Sequence, residues 1–170
     1  NSDHNLFEEN NFAPRILQDV PNQDFATEVK FDSLPTTRYQ TQGIIIEQDV
    51  DNFVRMEYYH NGTDTIMYAA TSVAGKVTAH ASTAITVPVG TTSLYMRVTR
   101  TGNSWLQERS YDGISWETNI TFDHALTVNR VGVYGGNADP KPDAEDTSPA
   151  YTAIIDYFFN TASPIEPEDG

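Results

Sequence analysis

The sequence predicts an all-β fold, a sandwich of two antiparallel sheets. Three observations predict it. Short segments rich in Val, Ile, Thr, Tyr and Phe recur at spacings of roughly 8–12 residues, with Gly, Asn, Asp and Pro between them. Several segments alternate apolar and polar residues, the period of a half-buried strand. No stretch keeps an amphipathic helical period for three turns. Ten or eleven strands exceed what one flat sheet of normal size holds, so two sheets packed face to face are expected.

In chain order, Ala13–Gln18 and Phe25–Asp32 come first, and Gln42–Gln48 carries the run Ile44-Ile45-Ile46. Gln48-Asp49-Val50-Asp51-Asn52 makes a hairpin turn to Phe53–His60, because Asn and Asp tolerate the left-handed backbone of tight turns. His60-Asn61-Gly62-Thr63-Asp64 turns the chain again into Thr65–Thr71, and Lys76–Ala81 follows. Ser93–Thr101 and Ser104–Ser110 meet at Thr101-Gly102-Asn103, a third hairpin, and Asn119–Phe122, Arg130–Tyr134 and Ala150–Asn160 complete the set. Alternation sends Val54, Met56, Tyr58, Leu94, Met96 and Val98 to the core, and Arg55, Glu57, Tyr59, Tyr95, Arg97 and Thr99 to the other face. No internal repeat of roughly 20–50 residues is visible, against a propeller or solenoid.

The 170 residues make about one domain, and 38% apolar with 11% aromatic residues suffices for a sizeable core. Twenty-four acids against ten bases give a formal charge of -14, so phosphate backbones and anionic membranes meet net repulsion, and neither nucleic acid nor membrane insertion is expected. No apolar run approaches the ~20 residues a spanning helix needs. With no cysteine, disulfides, thiolate metal sites and thiol catalysis are excluded together. The chain begins Asn1-Ser2-Asp3 and ends in a Pro and acid mixture from Ala162 to Gly170. Residues 1–160 therefore read as one monomeric module of a multidomain chain, and 161–170 as a linker or tail.

Hydrolysis of glycosides needs two carboxylates about 5–5.5 Å apart for retention. Glu47-Gln48-Asp49-Val50-Asp51 comes closest, but Asn52 stands where the sandwich glycosidases carry their second Glu, and the segment reads better as a strand entering a turn. The four histidines lack metal-ligand spacing. The lysines, Lys30, Lys76 and Lys141, stand beside no tyrosine, against a sandwich lyase. What remains is surface chemistry suited to sugars, aromatic faces for stacking beside polar groups for the hydroxyls. The candidates are Glu57, Tyr59, Arg97, Gln107 and Arg109, with Trp105 if its face is exposed, expected on one concave sheet built from 53–60, 93–101 and 104–110. The alternatives are a core Trp105, a solvated polar face, and an Arg97–Glu57 ion pair of at most about 1 kcal/mol.

Several segments in order carry a family resemblance: Gln42-Gly43-Ile44-Ile45-Ile46, Asp51-Asn52-Phe53-Val54-Arg55-Met56-Glu57, Leu94 to Asn103, Ser110-Tyr111-Asp112-Gly113-Ile114-Ser115-Trp116 and Val131-Gly132-Val133-Tyr134-Gly135. Together they resemble a concanavalin A-like jelly-roll module, similar to the C-terminal accessory domain of family 43 β-xylosidases and to laminin G-like modules. In the fourth segment Asp112 and Gly113 are expected to shape a turn and Trp116 to cap the core. The resemblance implies a non-catalytic carbohydrate-binding or accessory module of a secreted or surface protein, bacterial in source, with polysaccharide or glycan as partner. A glycoside hydrolase of this fold and a structural adhesin module are the alternatives. The closing Ile154-Ile155-Asp156-Tyr157-Phe158-Phe159 resembles the last strand of family 16 glucanases, which implies one structural Ca²⁺ held by Asp156 and carbonyls of the N-terminal segment. The acidic loop with Asp139, Asp143, Glu145 and Asp146 is the competing calcium location, though it lacks the spacing of an EF-hand.

Overall fold

The computed structural model describes residues 4–7, 10–138 and 148–161. Its strands are β1 (Leu6–Phe7), β2 (Asn10–Asn11), β3 (Arg15–Asp19), β4 (Phe25–Phe31), β5 (Thr41–Glu47), β6 (Phe53–His60), β7 (Thr65–Val73), β8 (Lys76–Ile85), β9 (Leu94–Thr101), β10 (Ser104–Ser110), β11 (Glu117–Asp123), β12 (Arg130–Gly136) and β13 (Ile155–Asn160). No helix occurs among the described residues. A six-stranded sheet runs β3-β12-β5-β6-β7-β8 and a five-stranded sheet runs β11-β10-β9-β4-β13, every pairing antiparallel. The expected tail and the acids of the 139–147 loop lie outside the described residues.

The turns form for the reasons the sequence suggests. Asp49 Oδ1 accepts from the Asp51 and Asn52 amides, and Asn61 Oδ1 from the Thr63 and Asp64 amides, replacing ladder bonds where the chain reverses. Gly113 has φ 73°, a conformation costly for other residues, and Asp112 Oδ1 accepts from the Ile114 and Ser115 amides beside it. Those amides, with the Ser110 hydroxyl, hold the Asp112 carboxyl well below the usual carboxylate range.

The core lies between the sheets. Val54, Met56 and Tyr58 of β6 face Leu94, Met96 and Val98 of β9 as alternation predicts, joined by Phe31, Ile44, Ile46 and Trp105, all fully buried. In the β7–β8 ladder a register shift lies between Ala69 and Ala70, which pair with Ala81 and Ala79, leaving His80 as the extra residue of a bulge. Its ring stacks on Phe122 of the other sheet at 4.1 Å and contacts Thr71 Oγ1 at 3.0 Å.

A second, smaller apolar cluster sits on the outer face of the six-stranded sheet. Leu6 and Ala13 of the N-terminal arm pack on Ile45, Phe53 and Tyr134. The arm therefore covers the β12, β5 and β6 side of that face. Asn11 Nδ2 ties it to the Val50 carbonyl, and Arg15 Nη1 bonds Asn11 Oδ1.

Candidate functional site

The six sequence-predicted residues do not share one surface, because the three strands that carry them fall on different sheets. β6 belongs to the six-stranded sheet, β9 and β10 to the five-stranded one. Glu57 and Tyr59 lie on the outer face of the first, and Arg97 on the outer face of the second. Trp105, Gln107 and Arg109 point inward. Trp105 is fully buried, its Nε1 donating to the His124 carbonyl at 2.9 Å, so its indole offers no face to a ligand. Gln107 is also fully buried and bridges the sheets, donating from Nε2 to the Tyr68 carbonyl at 3.0 Å and accepting from Asn119 Nδ2 at 2.8 Å. Arg109 pairs with Glu117. Arg97 and Glu57 do not pair: Arg97 bonds Glu28, while Glu57 faces Tyr134 and Arg55.

Alternation from Phe53 puts Phe53, Arg55, Glu57 and Tyr59 on one face, and register sets Ser72, Ala70, Tyr68 and Ile66 of β7 opposite them. Glu57 pairs with Gly43, where an added Cβ would run into the Met56 carbonyl oxygen and come to 2.7 Å from the Glu57 Cβ, so the close approach of β5 and β6 here requires glycine. The Tyr134 hydroxyl donates to Glu57 Oε2, and burial pushes the Glu57 carboxyl up against the pull of the Arg55 guanidinium 3.8 Å away. Glu47, fully buried on the same face, is held between Arg15 at 3.0 Å and Arg130 at 2.9 Å. These carboxylates are thus tied within the protein.

Beyond the arm, the face opens over β6, β7 and β8. Tyr59 and Tyr68, both half-buried, stand edge to face with centroids 5.9 Å apart. The Arg55 guanidinium lies over the Tyr68 ring, 5.2 Å from its centroid. Beside the tyrosines, β8 presents only small exposed groups, Ala79, Ser82 and Ala84. The result is a shallow trough with two aromatic rings on one side and hydroxyls at Tyr59, Tyr68 and Ser82. Sequence reasoning found Tyr59 and missed Tyr68, whose parity follows only once β7 is registered against β6.

One other expectation is corrected. Trp116 does not cap the core; its half-buried ring lies on the outside of the five-stranded sheet, 3.8 Å from the Arg97 guanidinium carbon. β13 pairs with β4, and its first residue, Ile155, lines a pocket with Pro14, Arg15 and Ile16 of the N-terminal segment. Asp156 Oδ2 lies 2.8 Å from Lys30 Nζ, and no group of three or more metal-ligating side chains occurs among the described residues.

No protein-family model matches the chain, and no curated protein matches it in sequence. Solved structures do match in shape. A functionally unknown protein from Saccharomyces cerevisiae aligns at a TM-score of 0.64 with 12% identity over 88% of this chain and 73% of its own. A xylan β-1,4-xylosidase from Bacillus halodurans C-125 aligns at 0.64 with 13% identity, over 87% of this chain and 29% of its own. The family 66 carbohydrate-binding module from Bacillus subtilis aligns at 0.54 with 8% identity, over 85% and 76%. The fold is a concanavalin A-like jelly roll. Its likeness to the accessory domain of family 43 xylosidases, expected from the sequence, holds at the level of the fold, and the chain spans under a third of that xylosidase.

Proposed function

We propose that this jelly roll is a non-catalytic carbohydrate-binding or accessory module of a secreted or surface protein, and that glycan lies in the trough over β6, β7 and β8. The observation that carries this reading is the Tyr59–Tyr68 pair, two half-open rings fixed edge to face beside small residues. Sugar rings stack their apolar faces on aromatic side chains, and the three neighbouring hydroxyls can both donate and accept toward sugar hydroxyls. The shape neighbour described as a carbohydrate-binding module supports the class of function. The buried and paired state of Glu47 and Glu57 supports a non-catalytic role, because a general acid must reach its substrate within about 3 Å.

The test is retention of the protein on immobilised neutral polysaccharides. Tyr68→Ala and Tyr59→Ala are each expected to weaken retention at least tenfold with a far-UV spectrum unchanged. Retention equal to wild type in both variants removes the trough as the site.

A further inference from the structure

We infer that the outer face of the five-stranded sheet is a second glycan-contact surface, where an uncharged sugar stacks on Trp116, so that the protein grips glycan from both sides of the sandwich. The choice of a sugar ligand rests on the functional reading above, and the geometry is independent of it.

Register lines Glu108 of β10, Arg97 of β9 and Glu28 of β4 side by side across this face, with Phe159 of β13 next in the row. Arg97 donates to Glu28 Oε2 from both Nε and Nη2, at 3.1 and 2.8 Å. The Tyr157 hydroxyl donates to the other oxygen, Oε1. One carboxylate is thereby clamped from two strands. Partial desolvation and that hydrogen bond raise the Tyr157 hydroxyl well above its ordinary range, keeping it a donor. The guanidinium lies over one face of the Trp116 indole, the residue is only half-buried, and the opposite face is the one assigned to the sugar.

The clamp is not needed to shape the loop that carries Trp116. Asp112 already accepts from the Ile114 and Ser115 amides, and Ser110 Oγ accepts from the Gly113 amide. What the clamp adds is a fixed ring and fixed polar groups before any ligand arrives, which reduces the ordering cost of binding. From β9 to β13 is two strand steps, roughly 10 Å. Trp116 and the exposed Tyr157 and Phe159 are thus spread across a width that takes more than one sugar ring.

Charge selects the class of sugar. The cations of this face are Arg97, paired with Glu28, and Lys30, which contacts Asp32 and Asp156. With Glu108 the acids outnumber them, on a chain of formal charge -14. A uronate or sulfated polymer meets repulsion here, and an uncharged one does not.

The two tryptophans make the test direct, since Trp105 is sealed in the core and Trp116 is the half-open one. Tyr68→Ala protein, with the trough disabled, is titrated with soluble β-glucan, xylan, arabinan and levan, and with polygalacturonate as the charged control, following tryptophan emission. A saturable emission change with at least one neutral polymer is expected, absent in the Tyr68→Ala, Trp116→Phe double variant. Affinity electrophoresis of the Tyr68→Ala, Trp116→Ala protein should show binding at least tenfold weaker at unchanged melting temperature. If wild type is retained by a neutral polymer but Tyr68→Ala gives no emission change, the second surface is wrong and the trough stands. An equal response to polygalacturonate overturns the uncharged class. If neither protein binds any polymer, both readings fall.

Discussion

Gln107 separates a structural role from a ligand-binding one. It is a candidate sugar contact in the sequence, yet its side chain joins the two sheets through the Tyr68 carbonyl and accepts from Asn119 Nδ2 of the neighbouring strand. Gln107→Leu keeps the size and removes both bonds. Two net hydrogen bonds at about 1 kcal/mol each, with up to about 2 kcal/mol more for the Tyr68 carbonyl left without its side-chain partner after relaxation, give a loss of roughly 2–4 kcal/mol. For a domain of this length that lowers Tm by roughly 5–15 °C. Urea unfolding followed by tryptophan fluorescence measures it, alongside retention on neutral polysaccharide. Stability is expected to drop by this amount with retention intact at temperatures where the variant is folded. A loss under about 0.5 kcal/mol accompanied by lost retention would refute the inward placement of Gln107.

Trp105→Ala should destabilise by about 3–5 kcal/mol, because it empties a fully buried site, measured by the same urea transition read by far-UV circular dichroism. Glu47→Ala leaves Arg15 and Arg130 facing each other across a buried position and is expected to cost about 3 kcal/mol, with Glu47→Gln milder. Burial holds the His80 imidazole below its ordinary range, with nearby His124 adding to the effect, and burial also lowers His124. The unfolded chain therefore takes up protons first on acidification: stability is full above about pH 6.5 and falls as pH drops below it toward the depressed values. Tm measured from pH 8 to pH 5 should decline, and His80→Gln should flatten the decline; a slope unchanged in that variant counts against it. Asp156 has a lysine partner that calcium would have to displace, so a rise in Tm on adding calcium after chelation, abolished by Asp156→Ala, would establish the calcium site the sequence suggests, and an unmoved Tm would refute it.

The strands were legible in the sequence because alternation survives without tertiary information. Every predicted segment from 13 to 160 contains or overlaps an observed strand, and β6 and β9 face the core with the residues expected. Sheet membership was not legible. β6 and β9 have similar patterns, and only the crossovers place them in different layers, which is why a site drawn across both had to come apart. Parity did carry a warning: Trp105, Gln107 and Arg109 share one face of β10, so a core Trp105 takes the other two inward with it. The arm escaped notice because β1 and β2, at two residues each, are too short for any period. Trp116 was misplaced because a tryptophan after a turn has no alternation to orient it, and its partner Arg97 is distant in sequence.

The central claim, that glycan contacts the outer faces of the sheets, is tested most directly by nuclear magnetic resonance on the full ¹⁵N-labelled chain titrated with a neutral oligosaccharide from a polymer that retains it. The account predicts shifts concentrated at Tyr59, Tyr68 and Ser82 and at the Trp116 indole N–H, with the Trp105 indole N–H unmoved. Shifts confined to the loops at the ends of the sandwich, with Tyr68 and Trp116 both silent at saturation, would contradict it.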